Sequence, residues 1–246
     1  MRTERNADGL IVQQPVQQPM QQSVQQPMRY RVAGEDIALY AERALYWPAG
    51  RTLFVADVHL GKTAAFRAGG VALPGGATAA NLARLSALVN ATRCEALVVL
   101  GDLIHAASGR TAALDRAFGH WRAAHTGLAI TLVRGNHDSR AGDPPAGWRV
   151  DVVDGPEPAP PFLLCHEPPD ASAGGLFGYA LAGHVHPAVH ISGAGLQSER
   201  LPCFVLGRHR AILPAFGRFT GSAVQRWASD DAIVAIAGER LFAVPR

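Results

Sequence analysis

Short apolar runs alternate with amphipathic stretches over the first part of the chain. Three runs, Thr52–Ala56, Leu97–Leu100 and Leu128–Val133, have the length and the glycine or polar boundaries of buried strands. Between them, Ala79–Asn90 and Ala112–Ala124 space their apolar residues three or four positions apart, which predicts helices that each cover one face. The succession strand, helix, strand, helix, strand predicts parallel βαβ units.

The pattern changes after Asp143, where short apolar runs follow one another with few helical stretches between them. Glycine and proline separate these runs, which indicates a strand-rich second half. Two more strands, Ile37–Tyr40 and Ala44–Trp47, precede the βαβ region. We therefore predict an α/β protein with two facing mixed sheets and helices outside. Residues 29–246 should form a single domain, because no linker divides them.

Residues 1–28 differ in composition from the rest of the chain. From residue 13 onward they repeat Gln-Gln with a proline and one small apolar residue. Proline every few residues opposes both helix and strand, and the few Val and Met side chains cannot form a core. We predict a disordered Gln/Pro-rich tail over residues 1–28. An arm that docks onto a partner is the alternative.

Composition narrows the function only slightly. The 246 residues have a formal net charge of +3 and a pI of about 9.0, which is compatible with a polyanionic partner without identifying one. The three cysteines lie in or beside apolar runs, as expected for buried free thiols in a reducing compartment. No apolar signal core follows Met1, and no apolar run reaches membrane-spanning length. We therefore expect a cytoplasmic protein that does not bind a membrane.

Polar motifs follow the apolar runs at five places. Each contains a carboxylate, an amide or an imidazole, and they occur in the order Asp57-Val58-His59, Gly101-Asp102, Gly135-Asn136-His137, His166 and Gly183-His184-Val185-His186. In open α/β sheets ligands bind beyond the carboxyl ends of the strands, so these side chains should converge in one crevice. Hard oxygen and imidazole nitrogen donors suit divalent ions such as Mn²⁺, Fe or Zn²⁺. A lone Asp-x-His or His-x-His is more often structural, but the ordered set favours a metal centre.

This order of motifs resembles that of the calcineurin-like metallophosphoesterases, whose fold is an α/β/β/α sandwich. The resemblance implies two divalent metal ions that share one bridging carboxylate. It assigns one ion to Asp57, His59, Asp102 and His186, and the other to Asp102, Asn136, His166 and His184. Two such ions can share a hydroxide that attacks phosphorus in line. His137 would then protonate the leaving oxygen, and Asp138 is expected to orient the His137 ring.

The residues after Gly101-Asp102 distinguish branches of this superfamily. Protein Ser/Thr phosphatases continue this motif with an aspartate and an arginine, and the arginine neutralises the second charge of a monoester. This chain continues as Leu103-Ile104-His105-Ala106, so the arginine is absent and His105 replaces the aspartate. A diester has only one charge and needs less neutralisation. Together with Asp57-Val-His-Leu-Gly, this run resembles the SbcD-type DNA repair nucleases. In those nucleases a histidine at the position of His105 lies near the site, so His105 is a candidate substrate contact.

Four longer stretches are similar to the ligase-associated DNA damage response endonucleases of the PdeM type. They lie at residues 57–71, 162–168, 183–187 and 212–221. Membership implies Mn²⁺-dependent phosphodiester hydrolysis with DNA as the substrate, within a repair set that includes a DNA ligase and a helicase. Lys62 and Arg67 are candidate phosphate contacts, with ordinary surface charges at a helix start as the alternative.

Three functions remain open from the sequence. The first is a metal-dependent DNA endonuclease, and the second is a phosphoesterase for small molecules such as nucleotides or lipid-linked phosphates. The third is a non-catalytic binding module on the same fold. Every matched metal position and His137 are present, which disfavours the third. The number of ligands does not separate the first two.

Overall fold

The computed structural model describes residues 4–5, 11–12, 24–169, 178–192, 198–218, 220–224 and 227–245. Near the N-terminus, β1 (Glu4–Arg5) and β2 (Ile11–Val12) pair in antiparallel fashion. Both strands precede Pro15, the first proline of the Gln/Pro repeat. From residue 28 onward the described chain builds two larger sheets.

The first of these sheets has seven strands arranged in the order of the sequence. They are β3 (Met28–Val32), β4 (Glu35–Tyr40), β5 (Ala44–Trp47), β6 (Thr52–Val55), β7 (Ala96–Leu100), β8 (Ala129–Val133) and β9 (Asp151–Val153). Strands β3 to β6 pair antiparallel, and β6 to β9 pair parallel. This sheet is therefore mixed, and its parallel part is the predicted βαβ region.

Helices connect the parallel strands and flank the site described below. They are α1 (Lys62–Ala68), α2 (Ala77–Thr92), α3 (Ala112–Ala124) and α4 (Asn136–Ala141), with short 3₁₀ helices at Ala107–Gly109 and Ala146–Trp148. α2 lies between β6 and β7, and α3 between β7 and β8, as predicted. At the start of α3 the Thr111 hydroxyl accepts a hydrogen bond from the backbone N–H of Leu114 at 3.2 Å, which satisfies one free donor of the first turn.

The second sheet has nine strands, and it contains the strand-rich half of the chain. They are β10 (Glu157–Ala159), β11 (Phe162–Leu164), β12 (Tyr179–Ala182), β13 (Pro187–Ser192), β14 (Ser198–Leu206), β15 (Arg210–Ile212), β16 (Ala223–Val224), β17 (Ala232–Ala237) and β18 (Arg240–Ala243). The order is β10-β11-β12-β15-β14-β13-β16, with β17 paired to β14 and β18 paired to β17. β11, β12 and β15 are parallel neighbours.

The two sheets pack face to face around one apolar cluster. Phe54 and Leu100 project into it from the first sheet, and Phe162, Leu181 and Phe204 from the second. Successive strand residues point to opposite faces, so the alternate residues of β6 and β7 face α2 and α3 instead. Both faces of these strands are buried, which explains their continuous apolar sequence. The predicted architecture of two facing mixed sheets is confirmed.

The last residues of the predicted tail lie against this body. Val24 packs against the cluster beneath α2 and α3, and the backbone N–H of Gln25 lies 3.3 Å from Glu42 Oε1. Met28 is the first residue of β3. Much of the remaining tail lies outside the described residues, so the division at residue 28 stays a prediction.

Two further expectations concern the cysteines and the membrane. Cys94, Cys165 and Cys203 are buried free thiols, as predicted. Among the described residues, no helix is long and apolar enough to cross a lipid bilayer.

Candidate metal centre

The predicted ligands follow the carboxyl ends of strands in both sheets. Asp57, Asp102 and Asn136 come after β6, β7 and β8, while His166 and His184 come after β11 and β12. Each of these sets consists of parallel neighbours, so the strand ends within a sheet lie at one edge. The backbone N–H of His184 donates to Asp57 Oδ2 at 2.9 Å. This bond joins the two edges, and the predicted crevice lies between them.

One group of donor atoms contains Asp102, Asn136, His166 and His184. Nε2 of His166 lies 3.0 Å from Asn136 Oδ1, 3.1 Å from His184 Nδ1 and 3.6 Å from Asp102 Oδ1. His166 and Asp102 are buried, whereas His184 is exposed at the rim. These four donors are the set that the resemblance assigns to one ion.

A second group contains Asp57, His59 and His186, with Asp102 again alongside. His186 Nε2 lies 3.3 Å from Asp57 Oδ1, and His59 Nε2 lies 3.9 Å from Asp102 Oδ2. One ligand atom from each of Asp57, His59 and His186 lies within 4.8 Å of the other two. The two oxygens of Asp102 therefore face different groups, Oδ1 toward His166 and Oδ2 toward His59.

Hydrogen bonds to backbone carbonyls set the direction of two candidate ligands. His166 Nδ1 lies 3.1 Å from the carbonyl oxygen of Leu100, and His186 Nδ1 lies 3.0 Å from that of Gly221. A proton on each Nδ1 leaves the Nε2 lone pair free, which is the usual arrangement of a metal-binding histidine.

Two buried polar atoms of the centre have no hydrogen-bond partner. They are Asp57 Oδ1 and His186 Nε2. An unsatisfied buried carboxylate oxygen is costly, and a cation between these atoms would remove that cost. The donors are carboxylate, amide and imidazole groups, so the residues present fit divalent ions of the Mn²⁺, Fe or Zn²⁺ kind.

Backbone strain is concentrated at the same residues. Among the described residues, ten that are not glycine have a positive φ angle, and five of those ten are candidate ligands. Their φ angles are 54° at Asp57, 49° at His59, 56° at Asp102, 65° at His184 and 50° at His186. Such conformations cost about 1–3 kcal/mol each, and they persist where the surrounding structure enforces them, often at functional sites.

Electrostatics favour the metal-binding form of His59. Burial lowers the pKa of His59 to about 2, with a further contribution from the charge of Lys62. The imidazole is therefore neutral at neutral pH, as a metal ligand must be. Burial raises the pKa of Asp102, because a charged carboxylate is less stable away from water. A nearby cation would stabilise its charged form.

Glycine is required at two turns of the crevice. A Cβ at Gly101, whose φ is 79°, would lie 1.9 Å from Nδ1 of His166. A Cβ at Gly135 would lie 2.3 Å from Oδ1 of Asp102. Both glycines let backbone and ligand side chains approach more closely than any other residue would allow.

His137 lies beside the centre, but Asp138 does not contact its ring. The Asp138 carboxylate is buried and accepts hydrogen bonds from the backbone N–H groups of Asp102, Ile104 and Gly135 at 2.7, 3.0 and 3.0 Å. The His137 ring is held by the carbonyl oxygen of His105, 2.7 Å from Nδ1. Asp138 therefore joins the backbone of the two loops that carry Asp102 and His137, and its role in orienting the His137 ring stays a prediction.

The three predicted substrate contacts differ in position. His105 lies in the centre, with Nδ1 3.4 Å from Nδ1 of His59, and burial lowers its pKa to about 4. Lys62 is partly buried and interacts with the charges of Asp102 and Asp57. Arg67 is exposed, and its guanidinium donates twice to the carbonyl oxygen of Leu73, at 2.7 and 3.1 Å. Lys62 and His105 therefore lie at the site, whereas the Arg67 guanidinium binds the loop that follows α1.

Two arginines that the sequence did not single out hold a loop behind the centre. Arg43 donates to the carbonyl oxygen of Ala215 at 3.0 Å, and Arg84 donates to that of Phe216 and lies over its ring. The N–H of Phe216 in turn donates to the carbonyl oxygen of Ala56, next to Asp57. Ala215 and Phe216 lie within residues 212–221, one of the stretches that resemble the PdeM-type endonucleases. That resemblance was the indication in the sequence that this loop matters to the site.

An open cleft of about 290 Å³ adjoins the second sheet's side of the centre. Its lining includes Arg134, Asn136, Cys165, His166 and Glu167. Arg134 is bound by Asp143 and Asp154, so its charge is already compensated. The cleft gives a substrate room beside Asn136 and His166.

Comparison with known proteins agrees with this geometry. A family profile for the calcineurin-like phosphoesterases matches residues 50–173. The crystal structure of the nuclease MPE from Pseudomonas putida is similar, with 40% sequence identity and a TM-score of 0.77. The alignment covers 89% of this chain and 100% of that one. Yfce, a phosphoesterase from E. coli, aligns at 15% identity with a TM-score of 0.34, over 77% of this chain and 90% of its own. No curated protein sequence matches significantly.

Proposed function

The chain belongs to the calcineurin-like phosphoesterase family and is a metal-dependent phosphoesterase, and we propose that it is a phosphodiesterase that cleaves DNA. The observation behind this proposal is the arrangement of two donor groups around Asp102, with His137 and Lys62 beside them. The similarity to a Pseudomonas putida nuclease over that protein's whole length supports a nucleic acid as the substrate. The choice of DNA rests on the resemblance of the sequence motifs.

We assign the two ions to the two donor groups. Asp57, His59, Asp102 and His186 would hold one divalent ion, and Asp102, Asn136, His166 and His184 would hold the other. When bound, such a pair supplies Lewis-acid activation of a water molecule and neutralises charge on the phosphate. Mn²⁺ is our choice for both positions, with Fe or Zn²⁺ as alternatives.

His137 is the proposed general acid. Its backbone N–H donates to Asp102 Oδ1 at 2.9 Å, and its ring Nδ1 lies 2.7 Å from the His105 carbonyl oxygen. These two bonds leave Nε2 facing the centre, 4.0 Å from Asp102 Oδ2. From there Nε2 would give its proton to the oxygen that leaves phosphorus.

Lys62 is the proposed phosphate contact. It is the only lysine of the chain, it is partly buried, and the carboxylates of Asp102 and Asp57 attract its charge. One ammonium group matches the single charge of a diester. Where the protein Ser/Thr phosphatases of the superfamily have an arginine, this chain has Ala106, and His105 replaces the aspartate before it. The His105 ring packs against His59 and His137.

A substrate panel with Mn²⁺ tests this function. It compares labelled DNA, a bis-aryl phosphate and a mono-aryl phosphate at equal concentration, each with and without EDTA. We expect cleavage of DNA, faster turnover of the diester than of the monoester, and loss of all activity with EDTA. A preference for monoesters, or cleavage of a nucleotide diester with no action on DNA, would replace the nuclease proposal by a small-molecule phosphoesterase.

A role in DNA repair, beside a DNA ligase and a helicase, is part of the same proposal and rests on the resemblance of the sequence motifs. It predicts that cells without this protein become more sensitive to DNA-damaging agents. Normal survival of such cells would separate the enzyme from repair while leaving its nuclease activity intact.

A further inference from the structure

Phe66 is a large apolar side chain that stays exposed, with 37% of its surface accessible. It lies on α1, a helix that contains no buried residue, so the ring has no core to pack into. A single exposed apolar residue is ordinary by itself. What Phe66 touches is more informative.

The Phe66 ring stacks on a ring of the candidate metal centre. Its centroid lies 5.8 Å from that of His105, with 23° between the planes. His105 stacks in turn on His137, at 4.9 Å and 22°. These separations are those of offset-stacked aromatic pairs. Three rings, each tilted by 22–23° from the next, therefore lead from the proposed general acid to Phe66, which is the exposed one of the three.

A cation accompanies this outer ring. Nζ of Lys62 lies 5.9 Å from the Phe66 centroid, one helical turn away on α1. The same ammonium is attracted by Asp102 and Asp57 of the metal centre. The exposed Phe66 side chain therefore has the His105 ring on one side and an ammonium group over its ring. An accessible ring beside a cation matches a nucleotide, whose base stacks on an aromatic face while its phosphate meets positive charge.

We propose that Phe66 is the base-stacking residue of this enzyme, and that its ring receives the nucleobase next to the phosphate being cleaved. This inference rests on the proposed DNA cleavage and adds a subsite to it. The base reaches Phe66 only if it is not stacked between neighbours in a duplex. A base stacked on Phe66 would hold the strand with its phosphate next to Lys62 and its leaving oxygen next to His137.

Oligonucleotides with one missing base provide the test. A labelled strand is cut by the full-length enzyme with Mn²⁺, and cleavage at every phosphate is measured with and without an abasic residue at one position. The wild type should cut the phosphate beside the abasic residue about tenfold more slowly, because one base–aromatic stack is lost. Phosphates elsewhere in the strand should be cut as before.

Variants of Phe66 identify the residue responsible. Phe66→Ala should raise KM for the intact strand about tenfold and remove the local effect of the abasic residue. Phe66→Trp should retain the effect, since it keeps an aromatic face. Val71→Ala is the matched control, because Val71 is also exposed, at 48%, and its backbone N–H bonds to the carbonyl oxygen of Phe66. Val71→Ala should behave as the wild type.

A binding measurement that does not depend on turnover accompanies these assays. Fluorescence anisotropy of a labelled strand with the metal-free protein should show about a tenfold higher Kd for Phe66→Ala. The melting temperature of Phe66→Ala should match that of the wild type, because the side chain is outside the core.

The outcomes separate this inference from the function on which it rests. If the wild type cuts no DNA, the proposed function itself fails. If the wild type cuts DNA but ignores the missing base, or if Phe66→Ala keeps the full abasic effect, DNA cleavage stands and Phe66 has no stacking role.

Discussion

Oδ1 of Asp57 and Nε2 of His186 lie 3.3 Å apart, and neither atom has a hydrogen-bond partner. The two residues are far apart in sequence, and the opposite nitrogen of His186 is held by the Gly221 carbonyl oxygen. Two unsatisfied atoms at this separation, in a buried position, indicate that a cation belongs between them.

Mn²⁺ should therefore stabilise the protein, and His186 should contribute. At a concentration about 100 times its Kd, one bound ion adds about 2.7 kcal/mol to the free energy of unfolding. For a chain of this size that raises the melting temperature by roughly 5–10 °C. His186→Ala should lose the share of the shift that comes from the ion it would hold, while the ion at His166 still contributes. His190→Ala, which changes an exposed histidine on β13, should retain the whole shift. Equal shifts in both variants would contradict the assignment of His186.

Asp102→Asn should abolish hydrolysis and reduce the amount of bound metal. The two oxygens of Asp102 face different donor groups, so replacing the carboxylate by a neutral amide should weaken metal binding at both groups. Metal content by elemental analysis and turnover of a bis-aryl phosphate are the measurements. A variant that kept both metal and turnover would rule out the two-ion centre.

His137→Gln should leave metal content unchanged and slow hydrolysis according to the leaving group. Esters with poorly acidic leaving groups should lose about 10²–10⁴ in rate, because they depend on protonation. Activated aryl esters should lose much less. Rates measured over a series of leaving groups check this, and an equal loss across the series would argue against an acid role.

Lys62→Ala and Arg67→Ala should differ, although both residues lie on α1. Loss of the Lys62 phosphate contact should weaken DNA binding and flatten its dependence on log salt by about one unit. Arg67→Ala should leave the slope unchanged, because the guanidinium is bound to the Leu73 carbonyl oxygen. Binding titrations at several salt concentrations measure both slopes, and a change for Arg67 alone would reverse the assignment.

Removal of residues 1–23 should change neither the melting temperature nor diester hydrolysis. Removal of residues 1–28 should lower the melting temperature by a few degrees, because Val24 packs against the core and Met28 starts β3. Thermal unfolding of both truncated proteins tests this pair of expectations. If the shorter deletion already destabilises the protein, the tail contributes to the fold.

Local pattern was enough to identify much of the centre. Asp57, Asp102, Asn136, His166 and His184 each follow an apolar run that becomes a buried strand, and strand formation depends on nearby residues. The carboxyl ends of parallel strands meet at one edge, so their convergence also followed from the sequence. The apolar runs also indicated a strand-rich second half, and two facing sheets fitted that pattern and the fold of the resembled family.

Tertiary structure alone decided which atoms meet inside that crevice. Asp138 binds the backbone of Asp102 and Ile104, and the Arg67 guanidinium binds the carbonyl oxygen of Leu73. The backbone N–H of His184 donates to Asp57, 127 positions away in sequence. The Phe66 ring stacks on His105, which stacks on His137. Such contacts depend on how the two sheet edges and the loops pack in three dimensions. No periodicity along the chain encodes them, because each partner belongs to a different strand end or loop.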